Sequence, residues 1–155
     1  MKRFLLRIWR ILPPWMEGIA SAIVRPRFHV VAGAIILNEQ GQLLLCKHTY
    51  RRVHPWGLPG GDIHFREDPA EAVRRELWEE TGFSIQDARL LLVEGSRQVH
   101  KVILTYLCRG ISGTFTPNEE VSMIQYFDTA RLPAFCEEHQ ATIQKALAIL
   151  KDEGR

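Results

Sequence analysis

The chain has 155 residues, 46% of them hydrophobic and 25% charged, a length that suits one domain with a substantial core and argues against a second independent one. Twenty Lys and Arg stand against 18 Asp and Glu for a formal charge of +2, too near neutral for the whole molecule to read as a nucleic-acid binder. The charge is uneven: residues 1–27 carry Lys2, Arg3, Arg7, Arg10, Arg25 and Arg27 against Glu17 alone, a net +5, and the rest is −3.

That asymmetry divides the chain into a basic amphipathic leader, 1–27, and a body, 28–155. In the leader Phe4, Leu5, Ile8, Trp9 and Leu12 recur at helical spacing among basic residues, and Pro13 and Pro14 stop the pattern. A second short helix is expected over 14–24, ended by Pro26. Arg7 and Arg10 interrupt the apolar stretch, so an export signal is not the reading. Residues 1–24 suit either weak contact with an anionic membrane surface or packing against their own domain or a second copy, a homodimer. The longest uncharged stretch, 28–38, is short of the ~20 residues that span a bilayer. Cys46, Cys108 and Cys136 are odd in number and far apart, which predicts buried thiols in a reducing cytoplasm rather than a zinc site or disulfide framework.

In the body, apolar and β-branched residues at 28–37, a turn signal at 38–41 and a second apolar run at 42–46 predict a β-hairpin. A polar segment, 47–55, leads into the glycine-rich loop Trp56-Gly57-Leu58-Pro59-Gly60-Gly61. Asp68 followed by Pro69 has the chemistry of a helix start, and Gly82 that of a stop, giving a helix over 69–81. Strands are expected at 88–94, 99–108 and 121–127, with a turn-rich insert at 110–118 holding a short extended piece, and a last helix at 133–151. This order predicts an α/β fold with a mixed sheet flanked by helices.

The chemistry concentrates on the helix over 69–81. Glu76, Glu79 and Glu80 stand at i, i+3 and i+4 and project from one face within a turn. Like charges so close repel, and a hard divalent cation, Mg²⁺ or Mn²⁺, would relieve them. Ahead of them Gly60 and Gly61 let backbone approach a ligand closely. A glutamate-rich helix alone is ordinarily a solvated face, but Gly61, Glu67, Arg75, Glu76, Glu79, Glu80 and Gly82 hold fixed spacings, with apolar Leu77 and Phe83 between and after them. Seven such residues at roughly 0.06 each coincide by chance on the order of 10⁻⁹ per starting position.

The 23 residues from Gly61 to Phe83 resemble the signature of the Nudix hydrolases. The resemblance implies an α/β/α sandwich and Mg²⁺-dependent hydrolysis of a pyrophosphate linked to a nucleoside, with water attacking phosphorus. It would have Glu76, Glu79, Glu80 and the Gly60 carbonyl bind the metal. Arg75, paired with Glu67, would hold the glutamates, and Glu79 or Glu80 would be the general base, with Glu120 from a later loop as a further catalytic carboxylate. His64 stands where many members have glutamate, and Arg66 where they have glycine. Arg51, Arg52, His48 and His64 are candidate phosphate contacts, and Trp56 and Tyr50 candidate stacking partners for a base. The expected ligand is a small nucleotide or nucleoside diphosphate derivative, without specific nucleic-acid binding. The alternative from another class is a non-catalytic nucleotide-sensing module acting through a partner, which has no need of a complete glutamate set.

Overall fold

The computed structural model describes Pro13 and residues 28–96, 100–135 and 137–153, with only the backbone described at 137 and 138. The expected leader helices and Cys136 lie outside the described residues. The body runs β1 (His29–Ile35), β2 (Leu43–His48), β3 (Trp56–Gly57), β4 (Gly60–Asp62), α1 (Pro69–Thr81), β5 (Phe83–Ser84), β6 (Asp87–Gly95), β7 (Lys101–Arg109), β8 (Ser112–Gly113), β9 (Val121–Phe127) and α2 (Glu137–Glu153). Among the described residues no helix is long and apolar enough to cross a membrane.

The strands form a four-stranded sheet in the order β4-β1-β7-β6, a three-stranded sheet β3-β2-β9 and a small β5-β8 pair. β1 runs parallel to β7, with His29 beside Lys101 and Ile35 beside Leu107, and antiparallel to β4. This corrects the hairpin expected over 28–46. The chain does turn at 38–41, where Asn38 Oδ1 accepts from Gln40 and Gln42, and Leu37 bridges Leu43. Beyond that bridge β1 and β2 part into different sheets. Both are buried on both faces, and two further partners for each serve that better than one shared ladder. The glycine-rich stretch read as a loop supplies the two short edge strands β3 and β4.

Alternation along the strands separates two cores. Ala32, Ala34, Tyr106 and Cys108 pack with Ala72, Val73 and Leu77 of α1. Their neighbours Ile35 and Leu107, one residue out of phase, pack with Phe135, Ile143 and Ala146 on the α2 side. Period-2 side-chain direction thus places one helix on each side of the strands, the α/β/α layering expected. Cys46 and Cys108 are buried free thiols, and burial pushes the Cys108 thiol up to about 12. The last helix begins at Glu137, later than the expected 133.

Helix α1 forms where its caps dictate. Asp68 is extended and accepts the Ala70 N–H at 2.8 Å, Pro69 occupies the first turn, and the Gly82 N–H closes on the Trp78 carbonyl at 2.8 Å. The buried Ala72, Val73 and Leu77 face the sheet, which turns the glutamates toward β4 and the loop ahead of β9.

Candidate active site

Arg75 is the hub of the carboxylate face. Its Nε and Nη2 donate to the two oxygens of Glu67 at 2.8 and 3.0 Å, a two-pronged pair. Nη1 donates to Glu76 at 2.7 Å and Glu79 at 3.0 Å, and Nη2 also reaches the Asp62 carbonyl of β4. These bonds hold the Glu67 carboxyl down at about 2. Glu67 further accepts the His64 backbone N–H at 2.8 Å. His64 thus serves the site through its backbone, its ring being two-thirds exposed and 3.9 Å from Glu67.

The other two glutamates rest on the glycine pair. Gly60 has φ 138°, and a Cβ there would lie 2.2 Å from the Ala32 carbonyl oxygen, so only glycine fits. Its N–H donates to Glu80 at 2.8 Å. At Gly61 a Cβ would sit 2.6 Å from all three carboxyl atoms of Glu76, so its absence makes room for that carboxylate. Burial pushes the Glu80 carboxyl up to about 8, with repulsion from Glu76 and Glu120 adding to the rise. Burial likewise raises Glu76, against the pull of Arg75. Glu79 is half exposed. Glu120, exposed on the loop before β9, acts by charge on both Glu76 and Glu80. The candidates Arg75, Glu76, Glu79, Glu80, Glu120 and Gly60 therefore come together.

Among the described residues no group of three or more His, Cys, Asp or Glu side chains stands arranged to hold a metal ion; Arg75 and the Gly60 N–H occupy glutamate oxygens instead. The donor set nevertheless fits a hard divalent cation. It is all oxygen, and two of its carboxyls sit where ionisation is opposed by burial and like charge, a penalty that a cation removes.

His48, a candidate phosphate contact by sequence, instead lies buried behind Glu80. Its ring is fully buried with Nδ1 3.5 Å from Glu80 Oε1, and neither ring nitrogen has a hydrogen-bond partner among the described residues. Burial lowers its pKa to about 4, helped by Arg51 and His139.

A cavity of about 270 Å³ opens beside Gly60 and Gly61. β1 and β7 wall it with Val31, Ile103 and Thr105, and α2 with His139 and Thr142. Tyr50, Arg51 and Lys101 also line it. Thr105 Oγ1 is buried there with no hydrogen-bond partner among the described residues. Of the expected substrate contacts Arg51 and Tyr50 line this cavity. Arg52 and His64 lie outside it, and Trp56 packs edge-on against Phe127, ring centres 4.9 Å apart, beside the α2-side core. Thr105, His139 and Thr142 were out of reach of the sequence because they come from separate elements and carry no motif.

The NUDIX domain profile matches residues 27–148, the span from just before β1 into α2. The chain belongs to the Nudix family. A MutT-like protein of Streptomyces ambofaciens is 29% identical over 112 residues, covering 72% of this chain and 71% of that protein. An RNA pyrophosphohydrolase of Hamiltonella defensa is 39% identical over 64 residues, and the match spans 41% of this chain and 38% of that relative's length. Among solved structures, a MutT NUDIX hydrolase from Burkholderia pseudomallei superposes with a TM-score of 0.68 at 27% identity, over 77% of this chain and 98% of that one. The Nudix layering of mixed sheets between two helices is thus shared with solved relatives.

Proposed function

We propose that this Nudix chain is a divalent-metal-dependent hydrolase that cleaves a pyrophosphate bond in a nucleotide or nucleoside diphosphate derivative, with water attacking phosphorus. The observation that carries the reading is the seating of the partly buried Glu76 and the buried Glu80 against the Gly60–Gly61 backbone at the edge of the cavity. Residues 28–155 would form the catalytic domain and 1–27 a separate leader, a division favoured by the profile starting at 27 and β1 at His29.

Glu76, Glu79, Glu80 and the Gly60 carbonyl would hold Mg²⁺ or Mn²⁺. When bound, the cation offsets the charge of the diphosphate and lowers the pKa of bound water. Glu67 fixes Arg75, and Arg75 in turn orients Glu76 and Glu79. The Gly60 N–H orients Glu80. Glu79 or Glu80 takes the proton of the attacking water, with Glu120 as the loop carboxylate whose charge acts on Glu76 and Glu80. The nucleoside end occupies the cavity, where Arg51 and Lys101 offer positive charge, Tyr50 an aromatic face and Thr105 a buried hydroxyl. Phosphoryl transfer asks for this kind of positioning more than for a protein nucleophile.

The test is a panel of nucleoside triphosphates, nucleoside diphosphate sugars and a 5′-triphosphorylated RNA, incubated with Mg²⁺ and read by phosphate release. Turnover of one class, lost with a chelator and in Glu79→Gln or Glu80→Gln, is expected; binding without turnover would mark a sensing module instead.

A further inference from the structure

Asn118 connects the two segments that carry the carboxylates. Its Nδ2 donates to the carbonyls of Glu79 at 2.9 Å and Glu80 at 3.1 Å. Carbonyls in the last turn of a helix lack intrahelical partners, so this amide caps α1 from outside. Its Oδ1 accepts the backbone N–H of Glu120 at 3.0 Å and of Val121 at 2.8 Å, the Asx geometry that turns the chain into β9. From the opposite side Thr49, one residue beyond β2, donates its N–H to the Glu120 carbonyl at 2.9 Å and its hydroxyl to the Glu119 carbonyl. The loop is therefore fastened to α1 and to β2 at once.

An exposed acidic loop next to the buried Glu80 and the partly buried Glu76 should swing away, because like charges repel and water solvates the loop residue better. Here the Glu120 charge still acts on Glu76 and Glu80. The four hydrogen bonds of the Asn118 side chain tie this loop to α1 and set its turn. We propose that Asn118 is a positioning residue: one end of its amide grips the Glu79 and Glu80 carbonyls, the other shapes the loop, and the Glu120 carboxylate is thereby held in register with Glu76 and Glu80. The inference rests on the proposed function, in which those carboxylates serve pyrophosphate hydrolysis.

The experiment compares the full chain with Asn118→Ala, Glu120→Gln and the double variant, measuring kcat, KM, Mn²⁺ affinity by electron paramagnetic resonance without substrate, and thermal unfolding. Asn118→Ala is expected to lower kcat and Mn²⁺ affinity about 10–100-fold with KM changed less than about threefold, the scale of lost support for a ligand set. In the Glu120→Gln background the same change should cost less than about threefold, since the residue it positions is gone. Asn118→Asp keeps the acceptor to the loop amides but loses both donors to α1, and should behave like Asn118→Ala; it also carries the comparison if Asn118→Ala does not fold. Equal losses in both backgrounds, tracking thermal destabilisation, would mean a structural role and overturn the proposal, as would wild-type kcat and Mn²⁺ affinity in Asn118→Asp or Glu120→Gln. A wild type that binds Mn²⁺ but turns over nothing fails the functional reading alone, and the Mn²⁺ coupling between 118 and 120 still decides the positioning.

Discussion

Arg66 has φ 67°, in the left-handed region that a long side chain enters at a cost. Family resemblance places glycine there in many members, and the geometry explains why. Arg66→Gly should stabilise the fold by about 0.5–1 kcal/mol, the strain removed less the extra freedom of the unfolded chain, read as a rise in denaturant midpoint at unchanged slope. Glu80 and His48 make a second prediction. Folding raises the Glu80 pKa from 4.5 to about 8, so the unfolded chain releases this proton first and stability is lost as pH climbs between those values. Folding lowers His48 from 6.5 to about 4, so stability is lost as pH falls between those. From 4.5 to 6.5 the two slopes oppose, and above 6.5 only the Glu80 slope of the pair remains. Metal-free protein should therefore lose about 2 kcal/mol between pH 6.5 and 8, at about 1.4 kcal/mol per unit. Mg²⁺ should restore it. Glu80→Gln should abolish that loss, unfolding later than the wild type at pH 8 without metal while turning over no substrate.

At the scale of elements, the β4–α1 joint is where fold and chemistry share the same atoms. A Cβ at 61 must displace the Glu76 carboxylate, so Gly61→Ala should lower kcat about 10²-fold, the cost of a misplacement near 1 Å, with the melting temperature nearly kept. An unchanged kcat would remove Glu76 from the chemistry. Helix α1 was legible because its signals are local: Asp68, Pro69 and Gly82 bound it as their cap chemistry requires. The partition of β1 and β2 was not, since a turn at 38–41 reports only that the chain reverses and not with whom the strands pair. The same limit hid β3 and β4, too short to show periodicity and defined by their neighbours. Arg75 and the three glutamates were legible because one helical turn gathers them, whereas Asn118 was seen only as part of an acidic turn and not as the side chain that fastens it.

At the scale of the molecule, the site is assembled from distant parts: β4, α1, the loop before β9 and a cavity completed by α2. Arg51 and Tyr50 among the expected substrate contacts reach that cavity, whereas Trp56 is taken up by the core, His48 is buried behind Glu80 and His64 faces water. Ion pairs from α2 to β6, Arg89 with Glu153 at 2.6 Å and Lys145 with Glu94, tie the helix that closes the cavity to the sheet edge. Such exposed pairs are screened by water and contribute little, so the packing of Phe135, Ile143 and Ala146 is what keeps α2 in place.

The parallel pairing of β1 with β7 bears on how the protein is made. A strand that lies between β4 and β7 has at most one of its two partners until residue 109 has been synthesised. At ribosomal rates of roughly 5–20 residues per second, the 74 residues separating Ile35 from Arg109 take on the order of 4–15 s. Throughout that interval the nascent chain carries Ala34, Ile35 and Ile36, all without exposure in the finished molecule, beside an unpaired strand edge. This is the window in which a holding chaperone would engage it, and chains truncated before β7 should aggregate, even though they contain every residue of the glutamate helix.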